Sequence, residues 1–120
     1  MKQGYWMLVL HAHLPFVKHP DYDYFLEENW LFEAITETYL PLLLNLKKLE
    51  SENVHFRLTS SVTPPLAEML ADHNLRDKYI RYLDRSIELV GKELWRTKDD
   101  PHFKPVVEMY RDRLNTLKGF

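Results

Sequence analysis

A continuous apolar run near the amino terminus, from Tyr5 to Leu10, constrains the fold of this 120-residue chain more than any other feature. A strand with one solvent-exposed face alternates apolar and polar residues, whereas this run is apolar at every position. The pattern therefore predicts a buried parallel strand that is covered on both faces by helices. His11 and His13 end the run, which leaves it too short for a secretion signal or a membrane span.

A second strand is predicted from Val54 to Thr59, where strand-forming residues lead into a hydroxyl-rich run that ends at Thr63. Residues 11–28 keep neither a helical nor a strand period, so they are predicted to form a long loop after the first strand. Apolar residues spaced by three and four predict four helices, at about 29–49, 64–72, 74–94 and 101–117.

The ends and the interruption of these helices also follow from residue types. Asn29, Thr63 and Asn74 are the predicted N-caps, because their short polar side chains can accept a bond from a free helical N–H. Pro41 lies inside the first helix, where it removes a backbone hydrogen bond at a cost of roughly 3 kcal/mol unless packing compensates. We therefore predict a bend at Pro41 and no break. The final helix is predicted to bury Phe103, Val107, Tyr110, Leu114 and Leu117.

The element order, strand, loop, helix, strand, loop and three helices, defines an α/β chain. Two parallel strands cannot by themselves form a stable sheet that is covered on both faces. We therefore interpret residues 1–120 as one segment, the truncated start of an α/β barrel.

The composition excludes several classes of function. Sixteen basic and 18 acidic side chains give a net charge of -2, which offers no positive field for nucleic acid or an anionic membrane. The sequence has no cysteine, so disulfides and thiolate zinc sites are excluded. None of its three glycines belongs to a phosphate-binding loop, and Ser60 and Ser61 lack the glycines of a serine-hydrolase elbow. We expect a soluble, cytoplasmic protein without a cofactor.

His11 and His13 are the strongest local signal for chemistry. They are two residues apart at the end of a predicted strand, so an extended backbone points both rings to the same side. Ligands bind at the carboxyl ends of strands in α/β sheets, and two imidazoles there can contact a polar ligand. A divalent metal is an alternative for which Asp21 or Asp23 would have to supply the next ligand. A purely structural role also remains open.

A second candidate cluster combines aromatic and acidic residues at the entrance to the first helix. Glu27 and Trp30 are the members expected nearest to the cleft, where a ring can lie on a pyranose and a carboxylate can accept sugar hydroxyls. The alternative is that the loop aromatics only attach the loop to the body. Ser60 follows the second predicted strand and is a candidate ligand contact, whereas Thr63 is better explained as a cap.

Several segments taken together resemble the start of glycoside hydrolase family 57. They are residues 4–6, 11–17, 28–35, 37–43 and 58–66. His11 to Pro15 is similar to the first signature region of that family, usually His-x-His-x-Pro. Leu14 is similar to the branching-enzyme subgroup, since amylases and glucanotransferases of the family tend to carry Gln there.

The resemblance implies an incomplete (β/α)7 barrel that acts on an α-glucan by a retaining mechanism with two carboxylates. In the family these carboxylates lie in later signature regions, so no catalytic residue is expected within residues 1–120. His11 and His13 would contact the sugar or orient the catalytic groups. The implied reaction is 1,4-α-glucan branching, with α-amylase or 4-α-glucanotransferase activity as alternatives. The chain by itself is expected to be inactive.

Two other classes of function stay open. One is a non-catalytic module that binds glucan through the same loops, and the other is a metal-dependent hydrolase that uses His11 and His13. Catalytic carboxylates beyond residue 120 would favour the enzyme, whereas bound metal would favour the metal-dependent hydrolase.

The sequence makes one direct structural prediction. His11, His13 and Ser60 should lie at the same end of two neighbouring parallel strands, because both segments are followed by polar residues at their carboxyl ends. Antiparallel pairing of the two strands would contradict the barrel interpretation. Uncovered strand edges are also expected to make the chain a homo-oligomer.

Overall fold

The computed structural model describes residues 3–120 and has the predicted element order. Its strands and helices are β1 (Val9–Ala12), α1 (Glu28–Ala34), a π-helical turn (Ile35–Tyr39), α2 (Leu40–Ser51), β2 (Thr59–Val62), α3 (Pro64–Ala71), α4 (His73–Arg96) and α5 (Lys104–Gly119). The chain is an α/β fold with two parallel strands and surrounding helices. Within the described residues, none of the helices is both long and apolar enough to cross a membrane.

The two strands pair in parallel, as predicted, but both lie further along the chain than expected. β1 begins at Val9 and β2 begins at Thr59, and Val9 pairs with Thr59 in the register. The backbone N–H of Thr59 also donates to the carbonyl of Leu8, at 3.1 Å. The hydrogen-bonded ladder therefore falls on the histidine and serine segments, and the most apolar residues precede it.

The prediction that the first strand is covered on both faces is wrong for this chain. Tyr5 and Trp6 are almost fully exposed, and β2 is exposed at all four positions. In β1, Leu10 and Ala12 are partly buried while Val9 and His11 are exposed. The described residues therefore cover only one face of the ladder, with Ala12 against the hydrophobic core.

The long first helix is continuous across Pro41, as predicted, and the structure shows how. The backbone N–H of Leu40 donates to the carbonyl of Ile35, five residues back, in a π-helical turn just before Pro41. A wider turn accommodates a residue that has no N–H and a bulky ring. Thr36 stabilises this turn, because its hydroxyl donates to the Phe32 carbonyl at 2.8 Å and lies 3.1 Å from the Tyr79 hydroxyl.

None of the three predicted N-caps makes the predicted side-chain bond, and only Thr63 has the predicted position. Thr63 has extended backbone before Pro64 and precedes α3, although its hydroxyl makes no capping bond. The prediction that Asn74 caps α4 is wrong, because Asp72 caps this helix by accepting from the backbone N–H of Leu75 at 2.9 Å. The prediction that Asn29 caps α1 is also wrong. This helix already begins at the preceding residue, and the Asn29 side chain donates to the Tyr24 hydroxyl.

Helix α5 packs on α4 with a smaller buried stripe than predicted. It begins at Lys104, not near Pro101, because the Asp100 carboxylate accepts the backbone N–H groups of two residues that precede the helix. Leu114 and Leu117 are buried, as predicted. Phe103 and Tyr110 are exposed, and their predicted burial is wrong.

A buried ion pair joins the loop, α1 and α4. The side chains of Lys78 and Glu28 are 6 % and 1 % exposed, and Lys78 Nζ lies 2.8 and 2.9 Å from the two Glu28 oxygens. Lys78 also donates to the carbonyl of Tyr22, and Glu28 accepts the backbone N–H of His19. Both charges therefore have several partners, which compensates for the loss of hydration.

We predict that Lys78→Ala destabilises the fold by about 3–5 kcal/mol, because the Glu28 carboxylate is left buried without its counter-ion. Replacing both partners, as in Glu28→Gln combined with Lys78→Met, should cost less than Lys78→Ala alone. Urea denaturation followed by circular dichroism measures both effects. Lys92→Ala, at an exposed pair on the same helix, is the matched control and should change stability by less than about 1 kcal/mol.

Asp72 makes the stability of the fold depend on pH in the acid range. Its pKa is held below the ordinary value of 3.8, first by the hydrogen bond from Lys18 and then by that from the Leu75 N–H. Since the folded-state pKa is the lower one, the stabilisation is fully present above about pH 4 and is lost as the pH falls through the folded pKa. Asp72→Asn keeps a good cap but loses the ion pair with Lys18, so it should lower stability at pH 7 by less than about 1 kcal/mol and weaken the loss of stability in acid. Denaturation midpoints between pH 2 and 7 test this, with the exposed Asp77→Asn as control.

Candidate functional site

The carboxyl ends of the two strands bring His11 and Ser61 into contact. The register places His11 opposite Ser61, and the His11 Nδ1 lies 2.7 Å from the Ser61 hydroxyl. Paired residues of a parallel ladder point to the same face, so this bond lies on the exposed face of the sheet. It holds the imidazole in one orientation and leaves its Nε2 available for another partner.

Ser60 lies inside β2, not beyond its carboxyl end as the sequence predicts, and it points to the face opposite His11. It pairs with Leu10 in the register and lines an apolar cavity of about 320 Å³ between the sheet and the helices. Tyr39 and Leu66 are among the other residues that line this cavity. Burial raises the pKa of Tyr39 above its ordinary value of 10.0.

His13 lies immediately beyond β1 and is exposed. Within residues 3–120, its ring has no hydrogen bond to a protein group, so both ring nitrogens can serve a ligand. Asp21 and Asp23 do not join the two histidines in a metal-binding group: no cluster of three such side chains occurs among the described residues. His11 and His13 are thus two exposed imidazoles near the end of β1, without a third metal-ligating side chain beside them among the described residues.

The loop after β1 is held at several points. Lys18 Nζ donates to the Asp72 carboxylate at 2.5 Å, and the backbone N–H of Val17 donates to the Met69 sulfur at 3.3 Å. The ring of His19 lies between those of Tyr22 and Phe25, with centroid distances of 4.7 and 4.5 Å. These ring contacts all lie within the loop and stabilise the loop itself, whereas Lys18 and Val17 attach it to the body at Asp72 and Met69.

Glu27 and Trp30 lie at the start of α1. Glu27 precedes the helix and is partly buried, whereas Trp30 is 52 % exposed. In the described part of the chain, no hydrogen bond or ion pair joins either residue to His11 or His13. The structure thus presents the Trp30 ring to solvent, free to contact a ligand.

Sequence reasoning missed two residues that organise this site. Ser61 is the partner of His11, and only the strand register distinguishes it from Ser60, because a shift by one residue exchanges the two faces. Lys78 fixes the loop, and its position in the sequence already indicated a buried charge. It is three residues after Leu75 and four before Tyr82, on the apolar stripe of α4 where a charge is unusual.

The sequence model of glycosyl hydrolase family 57 matches residues 7–117, nearly the whole chain. The chain belongs to this family. The resemblance seen in the histidine, tryptophan and serine segments is therefore confirmed.

The proteins that this chain is similar to include two branching enzymes and an alpha-amylase. A 1,4-alpha-glucan branching enzyme of Thermococcus kodakarensis is 38% identical over 99 residues, which are 82% of this chain and 14% of the relative. The crystal structure of the alpha-amylase AmyC of Thermotoga maritima superposes with a TM-score of 0.87 at 49% identity, over 94% of this chain and 21% of that one. A branching enzyme of Pyrococcus horikoshii gives a TM-score of 0.88 at 33% identity, over 97% and 22%.

This chain thus spans between about a seventh and a quarter of the length of those family 57 proteins. Within that span the backbones agree closely. The parallel pair β1 and β2, and the helices around it, therefore have the same arrangement here as in the corresponding part of the longer enzymes.

We predict that Ser61→Ala releases the His11 ring, whereas Ser60→Ala does not. Either atom can donate in the bond between Nδ1 and the Ser61 hydroxyl, and its removal should change the balance between the two neutral tautomers of the ring. Nitrogen-15 NMR of the ring above pH 8 distinguishes the tautomers directly. Equal spectra for Ser61→Ala and the unchanged chain would show that the bond does not orient His11.

Proposed function

We propose that this chain forms one wall of the active site of an α-glucan-acting enzyme, most specifically a 1,4-α-glucan branching enzyme. The observation that carries the proposal is the His11–Ser61 hydrogen bond at the carboxyl ends of two parallel strands, in a chain of glycosyl hydrolase family 57. Ligands of α/β barrels bind at that end of the strands. The fold is then the first part of a (β/α)7 barrel, completed by residues beyond those of this chain.

The reaction is retaining. One carboxylate attacks the anomeric carbon, and a second first protonates the leaving oxygen and then deprotonates the acceptor. In branching the acceptor is the 6-hydroxyl of another glucan, whereas in hydrolysis it is water. We assign neither carboxylate to an Asp or Glu of residues 1–120. His11 and His13 donate hydrogen bonds to the sugar or orient the carboxylates, and they need neither a metal nor a cofactor for this.

Three further side chains complete the proposed wall. The exposed Trp30 ring supplies an apolar face for a pyranose, and Glu27 accepts sugar hydroxyls at the start of α1. Ser60 lines the cavity on the inner face of the ladder, where it contacts substrate or the rest of the barrel. The buried Glu28–Lys78 pair fixes the loop that begins at His13 and ends at the start of α1.

A second candidate activity is α-amylase. It is favoured by the 49% identity to AmyC of Thermotoga maritima, which exceeds the 33% and 38% identity to the branching enzymes. Leu14 in the histidine segment favours branching. Two assays on amylose separate the reactions, because branching lowers iodine absorbance without new reducing ends, whereas hydrolysis produces reducing ends. The test requires this segment within a protein of its relatives' full length.

We predict that His11→Ala in such a full-length enzyme lowers turnover by about 10²–10³-fold, because it removes a donor from the transition state. The melting temperature should change by less than about 2 °C, since His11 is a proposed cleft residue and is not part of the hydrophobic core. His102→Ala, an exposed histidine between α4 and α5, is the control and should change neither quantity. A large melting loss with unchanged turnover would mean that His11 is structural.

The chain by itself is predicted to be inactive and associated. Tyr5, Trp6 and Met7 expose their side chains beside an unpaired strand edge, which favours contact between copies through the uncovered face. Sedimentation velocity at micromolar concentration should show a homo-oligomer, and incubation with amylose should leave iodine staining unchanged. A monomer that branches amylose would contradict both the association and the assignment of the carboxylates outside residues 1–120.

We further propose that the full-length enzyme acts in the cytoplasm on a glycogen-like glucan, and not on nucleic acid or membranes.

A further inference from the structure

A polar groove lies between the start of α1 and one side of α4. It consists of two adjoining cavities of about 350 and 370 Å³, and Tyr24 and Arg85 line both of them. The first is also lined by Asp23 and Arg81, and the second by Asn29 and Ser86. These six residues define what we call the Tyr24 groove. None of them is among the strand-end residues His11, His13, Ser60 and Ser61.

The aromatic ring of the groove is exposed and held in place. Tyr24 is 54 % exposed, although a tyrosine can bury much apolar surface. The Asn29 side-chain amide donates to the Tyr24 hydroxyl at 2.9 Å, and the Arg85 guanidinium carbon lies 5.7 Å from the ring centroid. A ring that is already fixed loses little conformational entropy when a ligand stacks on it.

The groove offers hydrogen-bonding groups of both kinds for a hydroxyl-rich ligand. Lys78 and Glu28, at its base, neutralise each other as a buried pair. Arg81 and Arg85 line the same cavity as Asp23, so the wall offers both hydrogen-bond donors and a carboxylate acceptor. Sugar hydroxyls are donors and acceptors at once, so they can pair with both kinds of group.

The groove is also long enough for several sugars. Its α4 residues extend from Lys78 to Leu89 at spacings of three and four, so they follow one side of the helix. Eleven residues of α-helix correspond to roughly 16 Å. This length fits an oligosaccharide, and the exposed Leu89 at one end adds apolar surface.

We propose that the Tyr24 groove is a second α-glucan-binding site, separate from the residues at the strand ends. The inference rests on the proposed function, because α-glucan is the hydroxyl-rich ligand that such an enzyme meets. The Tyr24 ring stacks on a glucose unit, and Arg85, Asp23 and Asn29 bind its hydroxyls. The groove holds a polymer chain on the enzyme between reactions.

Native electrophoresis of the 120-residue chain in gels that contain amylopectin tests the proposal. The polymer should retard the unchanged chain, and Tyr24→Ala should weaken apparent binding about tenfold through loss of stacking. Arg85→Ala, at an exposed helical position, should also weaken it. Tyr110→Ala and Arg111→Ala on α5 are the matched controls and should behave as the unchanged chain. Gels with hydroxyethylcellulose, a β-glucan polymer, should not retard any of these proteins.

The double variant His11→Ala with His13→Ala separates this site from the proposed active-site wall. Retardation that persists in the double variant and falls in Tyr24→Ala supports the groove. Retardation that falls in the double variant and persists in Tyr24→Ala overturns the groove while leaving the proposed function intact. Absence of retardation also overturns the groove, and the proposed function is then still decided by the amylose assays on the full-length enzyme.

Discussion

The buried pair of Glu28 and Lys78 is the interaction on which the rest of the structure depends. It joins the first turn of α1 to α4, and through the carbonyl of Tyr22 and the N–H of His19 it also fixes the loop after β1. A loop of this length would otherwise have little secondary structure to hold it. The pair therefore fixes the loop that runs from His13 to the start of α1.

Contacts on either side of this pair join the π-helical turn and the loop after β1 to α4. The hydroxyl of Thr36, in the π-helical turn that accommodates Pro41, contacts Tyr79 one residue after Lys78. Asp72 links the other end of the same region, because its carboxylate caps α4 and accepts from Lys18 of the loop. The loop is thus attached at two points along α4, and both attachments use charged hydrogen bonds in partly or fully buried surroundings.

The surface that this scaffold presents has two distinct parts. The exposed face of the ladder carries the His11–Ser61 bond, and the proposed function connects that face with chemistry on α-glucans. The groove around Tyr24 has no strand residue and lies on helices α1 and α4 with the adjoining loop. An enzyme that acts on a polymer benefits from such a division, because a chain held at a second site returns to the cleft at high effective concentration.

The element order, the parallel strands, the helix through Pro41 and the start of α3 after Thr63 were predictable, because each depends on local spacing and residue type. The family was also predictable from the histidine, tryptophan and serine segments. Tertiary structure decided three further matters: which serine meets His11, which strand face is covered, and that Glu28 and Lys78 meet across 50 residues. A register shift of one residue exchanges the faces of a strand, and a buried ion pair depends on helix packing, so neither can be read from local sequence.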